Sequence, residues 1–385
     1  MAIPKRRKKP KTTINQLPPE VLSYIILIGA ESDRRVWRWG SSGMKSQRIA
    51  LQVCRYWRDV ATSTLALWTF VYVRGAVVSS QNASDLAHAG PTALLDIAIE
   101  MHRDLVFAPH ELIFLSTQEF AKLTTLTITS YRLDPPELST ILLSNPQLES
   151  LRLYDGPCRE APDHDQIDFH RMSRTSAPSL RSLFIQTTNN NSWALQIAIV
   201  IQAPGLTHFA FECGAKYPDK HRLVAYITTG VRSANATKSD SVGVPIYPSL
   251  QSLDVRRFLC QKKHFTDLIS SFPHLTCLTA CADKVQWLDA TPWVLPKLQY
   301  LGLPDLPANH HVVQGLLSRR ADIDIPIKEV EAKGGCLRMG TAQHKPLNLE
   351  FCPSVALKYE YYRGDDTTVG SLQSLRWISP RMPRL

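Results

Sequence analysis

The sequence predicts an α/β protein, a helical N-terminal module followed by an irregular solenoid whose parallel sheet is joined by helical returns. Three observations predict it. A short leucine-based unit recurs between residues 121 and 303. Helix-like stretches lie between its copies, and residues 17–73 place apolar side chains at helical spacing.

The recurring unit is proline, a polar residue, Leu, two variable residues, Leu or Phe, one residue, then an apolar residue. It reads Pro146-Gln147-Leu148-Glu149-Ser150-Leu151-Arg152-Leu153 and returns from Pro178, Pro204, Pro248, Pro273 and Pro296, while Ala121 to Ile128 is the same unit without its proline. Counted at the first leucine from Leu123, the intervals are 25, 32, 26, 44, 25 and 23 residues. Leucines in this pattern flank a short strand and point into a stack, and the residues between them face out along a shared sheet. No single unit closes a core, so the units must stack. Residues 136–144, 192–202 and 264–272 read as helical returns, each followed by a proline that starts the next strand.

This pattern resembles the leucine-rich repeat over roughly Phe120 to Cys336. It departs from that family where an Asn or Cys usually follows the third leucine, since Gly156, Thr188, Gly214, Phe258, Asp283 and Leu306 stand there. An irregular, unevenly curved arc is therefore expected. Spacers 155–176 and 216–245 are polar and expected to be surface loops. A helix at 310–320 and the strand-like Ile327 to Glu331 form a last repeat or a cap. Residues 337–385 form a C-terminal cap or tail, with strand-like pieces at 347–351 and 355–361.

The N-terminal module opens with Leu17-Pro18-Pro19-Glu20-Val21-Leu22 and closes with Val53-Cys54-Arg55-Tyr56-Trp57-Arg58, then Leu67-Trp68 and the strand-like 69–73. Proline suits a helix start because its missing N–H would be unpaired there anyway, and Glu20 complements the helix dipole. Val21, Leu22, Ile25 and Ile26 form one apolar face. Ile49, Val53, Tyr56, Trp57 and Val60 share similar spacing, which predicts a second helix. So few helices cannot bury that many large side chains among themselves, so part of this surface is meant for a partner. Both ends of the module resemble the F-box, which docks onto the Skp adaptor of cullin-based ubiquitin ligases; residues 31–47 are longer than that family's usual middle.

The resemblance implies that Leu17, Pro18, Pro19, Val21, Leu22, Ile25, Val53, Cys54, Trp57 and Trp68 fill the adaptor's groove or support the helices that do. Through the adaptor the chain would reach a cullin. The solenoid would present a protein substrate on outward strand positions such as Arg152, Phe184, Asp254 and Gly302. The expected role is that of a non-catalytic substrate adaptor. The alternatives are a leucine-rich-repeat scaffold that directs no degradation, or a nucleic-acid-associated protein acting through its basic tail.

Composition bounds these readings. The net charge is +10, and Lys5, Arg6, Arg7, Lys8, Lys9 and Lys11 supply six of those charges. That run looks like a nuclear import signal in a disordered tail, residues 1–16. The body is only mildly basic, so a nucleic-acid groove is not implied. Eight scattered cysteines, without a secretory leader or an 18-residue apolar run, predict a soluble nuclear or cytoplasmic protein with free thiols. Residues 74–119 read as a linker followed by a first strand at 91–100 and a helix near 109–119.

Candidate chemistry is sparse. Asp163, His164, Asp165, Asp168 and His170 lack metal-ligand spacing, and Cys277 with Cys281 lacks a second pair. No phosphate loop or nucleophile elbow is present. No cofactor or metal is expected.

Overall fold

The computed structural model describes residues 14–37, 45–74, 84–89, 95–100, 122–155, 172–187, 192–213, 220–231, 244–258, 260–289, 293–307, 311–333, 335–338 and 351–352. The basic run at 5–11, the helix expected at 109–119, the loop from Asp163 to His170 and the strand expected at 355–361 lie outside them. The chain divides into two compact units. The first holds the described residues between 14 and 72 with 84–89, and the second holds 73–74 and those from 95 onward.

In the first unit, helix α1 (Pro19–Trp37) begins at the double proline. The Pro18 carbonyl accepts the Val21 and Leu22 amides at 3.1 and 3.0 Å, and Leu22, Ile26 and Ala30 form the buried stripe of the helix. The sequence predicts one helix through Val53 and Val60, but the chain forms two, α2 (Lys45–Val53) and α3 (Arg55–Ser63). Cys54 between them is extended, with φ −162° and ψ 174°, and its carbonyl accepts the Arg58 amide at 3.0 Å. It therefore serves as the N-cap of α3.

Cross-links fix these helices. The Tyr56 hydroxyl donates to the Leu17 carbonyl at 2.6 Å, tying the two halves of the motif together. The Ser46 amide donates to Asp33 at 2.6 Å, and the Gln47 side chain donates to the Leu67 carbonyl. After a 3₁₀ turn (Leu65–Thr69), strand β1 (Phe70–Arg74) follows. Trp68 is buried and its indole N–H donates to the Ala61 carbonyl at 3.0 Å. The expected linker is not all loop, for a short helix α4 (84–89) lies within it. Asp85 pairs with Arg48 at 3.0 Å, and the His88 ring lies 4.7 Å from that of Trp68, which anchors α4 in this unit.

The second unit is a stack of strand-and-return repeats. Its parallel strands are β2 (Asp96–Glu100), β3 (Thr125–Thr129), β4 (Ser150–Tyr154), β6 (Ser182–Thr187), β8 (His208–Cys213), β9 (Ser252–Val255), β10 (Cys277–Ala280), β11 (Tyr300–Pro307) and β12 (Glu329–Lys333), adjacent in that order. β13 (Gly335–Arg338) and β14 (Phe351–Cys352) add antiparallel at the far edge. A separate pair, β5 (Thr175–Ser176) and β7 (Ile201–Gln202), joins two returns.

Each proline of the repeat has a defined place. The residue before it accepts the amide of the leucine two residues after it: Asn145 from Leu148, Ala177 from Leu180, Ala203 from Leu206, Tyr247 from Leu250, Phe272 from Leu275 and Leu295 from Leu298, at 3.0 to 3.3 Å. These are β-turns with proline at the second position, where its fixed φ fits. Each first leucine is at most 2% exposed.

The residue after that leucine then offers one carbonyl to two successive amides of the next repeat. Leu95 accepts from Thr124 and Thr125, Thr124 from Glu149 and Ser150, and Glu149 from Arg181 and Ser182. Arg181, Thr207, Gln251, Thr276 and Gln299 continue the series to Lys328 and Glu329, all at 2.8 to 3.1 Å. The hydroxyls of Thr124, Thr207 and Thr276 donate to the same carbonyls of the preceding repeats.

Ile327 and Val330 take the buried leucine places before and within β12, so this segment is a further repeat. The returns pack in series: α5 (Pro135–Ser144), α6 (Trp193–Val200), α7 (Lys220–Thr229), α8 (Lys262–Ser270), a 3₁₀ segment (Ala282–Asp289) and α9 (His311–Asp322). All eight residues of α6 are buried, seven of them apolar, while Gln196 donates to the Ser192 hydroxyl at 2.9 Å and the Trp193 indole donates to the Leu133 carbonyl at 2.7 Å. Helix α7 lies inside the stretch expected to be a polar loop. Leu223, Val224, Tyr226 and Ile227 bury against its neighbours, and Gly230 ends it at φ +70°, donating to the Tyr226 carbonyl at 2.8 Å.

Glu137 in the first turn of α5 yields a pH prediction. Burial raises its carboxyl to about 7 from an ordinary 4.5, although the Tyr131 hydroxyl, 3.2 Å away, opposes the shift. The folded state therefore holds this proton more tightly than the unfolded chain. Stability falls as pH rises from about 4.5 to about 7. Glu137→Gln cannot ionise and should escape that loss. Thermal melts should show the variant gaining on the wild type at pH 8 relative to pH 5; an offset independent of pH would contradict this assignment.

Candidate functional site

Two surfaces hold the residues that the sequence singles out, one in each unit. In the first unit, α1 presents a second stripe opposite its buried one. Val21, Tyr24, Ile25 and Ile28, at i, i+3, i+4 and i+7, are 41 to 65% exposed. Helix α2 adds Ile49 and Val53, exposed by 55 and 49%, and Leu65 follows α3 at 62%.

The motif residues therefore separate by role. Val21, Ile25 and Val53 are exposed apolar groups, and Pro18 and Pro19 are exposed at the helix start. Leu17, Cys54 and Trp57 are half-buried, whereas Leu22 and Trp68 lie wholly inside and support the helices without facing a partner. Tyr24, Ile28, Ile49 and Leu65 were not singled out by the motif. For Tyr24 and Ile28 the helical period starting at Val21 is the signal that finds them.

The second surface is the sheet face opposite the returns. Ala98, Thr127, Arg152, Phe184, Ala210, Asp254, Thr279, Gly302 and Glu331 occupy one register row across it. Strand alternation thus brings all four expected contact residues to one row, but only Arg152 remains partly exposed. Phe184 lies under Tyr154, with ring centroids 4.7 Å apart. Asp254 is clasped by Arg256 through contacts of 2.6 to 3.1 Å. Gly302 is pressed against Thr279, so that a Cβ there would sit 2.7 Å from the threonine hydroxyl. The accessible groups are instead on the flanking rows, including Gln186, His208 and Tyr300.

Charge on this face is unevenly spread. Glu100, Glu212, Asp254, Glu329 and Glu331 lie at outward register positions of the strands, with Arg152 among them and Arg256 just after β9. Burial raises the Glu212 carboxyl, against the pull of Arg257, and neighbouring Asp254 raises it further. Burial disfavours the Arg256 cation, yet Asp254, Glu212 and Glu331 together outweigh it and hold that group above its ordinary range. Tyr300 donates to Glu331. The Cys277 thiol is pushed up to about 11 by burial, which leaves it protonated and a poor nucleophile at neutral pH.

Among the described residues there is no cluster of three or more His, Cys, Asp and Glu placed to hold a metal ion. No described helix is long and apolar enough to cross a membrane. His311 begins α9 and is exposed.

The parallel strands, their constant register and the alternating returns define a repeat solenoid of leucine-rich-repeat-like architecture. No protein-family model matches the chain, and no curated protein does. Solved structures similar to it include a Bacteroides fragilis protein from a structural genomics programme, at 14% identity and a TM-score of 0.41, covering 63% of this chain and 66% of that one. TLR13 in its complex with ssRNA13 is similar at 16% identity and a TM-score of 0.28, covering 60% of this chain and 34% of TLR13. The chain spans about two thirds of the first and one third of the second.

The close approach at Gly302 is testable. Gly302→Ala should cost about 1–3 kcal/mol in denaturant unfolding, the range for overpacking a filled site. Adding Thr279→Ala removes the opposing side chain, so the double variant should recover part of that loss. Strict additivity would show that the two positions do not press on each other.

Proposed function

We propose that this chain is a non-catalytic substrate adaptor of a cullin-based ubiquitin ligase. In this reading residues 17–73 act as an F-box that binds a Skp-family adaptor, and the solenoid presents a protein substrate. The observation that carries the reading is the exposed apolar stripe of α1, which coincides with the residues of the N-terminal motif. Val21 and Ile25 are motif positions, and both are left unburied by the fold of the first unit. The hydrogen bond from Tyr56 to Leu17 supports it too, because it brings the opening and closing halves of the motif together. Solvent exposure of several large apolar groups on one helix is costly, and covering them by a partner removes the cost. Buried apolar anchors of that kind dominate many interfaces.

The sheet face offers a polar, partly aromatic surface to the substrate. Contact would fall on Arg152 and on flanking residues such as Tyr154, Gln186, His208 and Tyr300. The import signal at Lys5 to Lys11 would place the complex in the nucleus as well as the cytoplasm.

The test uses exposed positions, so that loss of binding is not loss of folding. Purified full-length chain is titrated with a Skp-family adaptor, as wild type and as Ile25→Asp combined with Val53→Asp. Affinity should drop about 30-fold or more in the variant, as for loss of a central anchor, while its circular dichroism stays that of the wild type. A wild-type chain that does not bind the adaptor removes the ligase assignment.

A further inference from the structure

We propose that the first unit also holds a binding pocket for a phosphate monoester, separate from the apolar stripe and independent of the adaptor reading. A cavity of about 290 Å³, open to solvent, lies between α2, α3 and α4 and is lined in part by Arg48, Leu51, Arg58, Thr62, Ser84 and His88. Two guanidinium groups and an imidazole converge there, each already fixed in orientation. Arg48 is held through its Nη2, which donates to Asp85 Oδ2 at 3.0 Å. Arg58 is held through its Nε, which donates to the Leu51 carbonyl at 2.9 Å. The His88 ring packs on Trp68 and lies 3.4 Å from the Ser84 hydroxyl.

Each of these anchors uses only part of its donor set. The Arg48 Nε–H is buried and has no hydrogen-bond partner, and the Arg58 Nη groups have none among the described residues. Among the described residues Asp85 is the one carboxylate in contact with these groups, and Arg48 already engages it. The cavity therefore presents an excess of oriented donors with a net positive charge. The Arg48 Nε–H is itself shielded from solvent, so an anion entering the cavity meets the outer nitrogens of the guanidinium forks.

The donors come from three helices and so approach from different directions. That arrangement suits a tetrahedral group with three acceptor oxygens better than a planar carboxylate with two, and guanidinium forks match phosphate oxygens well. The open side of the cavity leaves room for the ester substituent to run out to solvent. The phosphate has two possible sources, a phosphorylated residue of a polypeptide or a free phosphate or small ester.

Isothermal titration calorimetry on the full chain at fixed ionic strength tests the proposal and separates the sources. The probes are inorganic phosphate, a blocked Gly-phosphoserine-Gly peptide and its unphosphorylated twin. Binding should be seen with a phosphate-bearing probe and not with the twin. Tighter binding of the phosphopeptide points to a phosphorylated polypeptide, and tighter binding of inorganic phosphate to the free ion or a small ester.

Arg58→Ala alters an exposed side chain, and Arg48→Lys keeps the charge while removing the guanidinium fork. Each should weaken binding about tenfold or more, the loss expected for a charge-assisted hydrogen bond. Arg55→Ala is the control, since Arg55 lies on the same helix, is 92% exposed and does not line the cavity. It should leave affinity unchanged. Equal weakening by Arg55→Ala and Arg58→Ala would reduce the effect to diffuse surface charge and overturn the proposal. So would a wild-type chain that binds neither phosphate probe.

Discussion

One backbone carbonyl per repeat governs the stacking of the second unit. The residue after each first leucine presents its oxygen to two consecutive amides at the same place in the next repeat, from Leu95 through to Gln299. Each such bond contributes only about 1 kcal/mol net, but its geometry fixes register. A slip by one residue would turn the leucine rows out of the core and bring Arg152, Asp254 and Glu331 into it. The proline turn serves this contact, because it sets the direction in which the strand enters the sheet. Main-chain bonds at the start of each strand hold the stack. Three threonine hydroxyls reinforce them.

Repeats whose parts have fixed physical roles were legible in the sequence. Proline at the turn and leucine in the core recur because few other residues meet those demands. The last parallel repeat is harder to read, since Ile327 and Val330 replace leucine and Pro326 directly precedes the first of them. Helix α7 is hidden for a different reason. Its buried face needs only Leu223, Val224, Tyr226 and Ile227, and the polar spacer around them obscures so short a pattern. The break at Cys54 is obscured by periodicity itself, because Val53, Tyr56, Trp57 and Val60 keep helical spacing across an extended residue. Local pattern reports spacing, whereas the backbone path depends on what α2 and α3 each pack against.

The sites show the same limit at the level of side chains. Alternation along a strand assigns Phe184, Asp254 and Gly302 to the sheet face but says nothing about depth. Depth is set by residues from other parts of the chain: Tyr154 over Phe184 and Thr279 against Gly302 come from adjacent strands, and Arg256 folds back on Asp254. In the first unit the motif identified Val21, Ile25 and Val53, which are exposed, together with Leu22 and Trp68, which are not. A motif can hold both kinds of residue, because a helix that presents an exposed stripe also has to be held in place. The cavity at Arg48 and Arg58 left no mark in the sequence, since His88 comes from a segment that reads as linker.

The two units offer a partner different physics. The stripe on α1 is apolar, so whatever covers it gains mainly by excluding water, a gain that is largely insensitive to salt and pH. The sheet face carries carboxylates whose protonation depends on burial, as at Glu212, and an arginine held by three acids at Arg256. Association there would be governed by charge matching, which is screened by salt and discriminates among partners more than it adds affinity. Under the proposed reading this division is functional. A partner common to many adaptors would be held by apolar contact, whereas a substrate would be selected by the polar and aromatic groups left accessible on the sheet face, Arg152, Tyr154, Gln186, His208 and Tyr300.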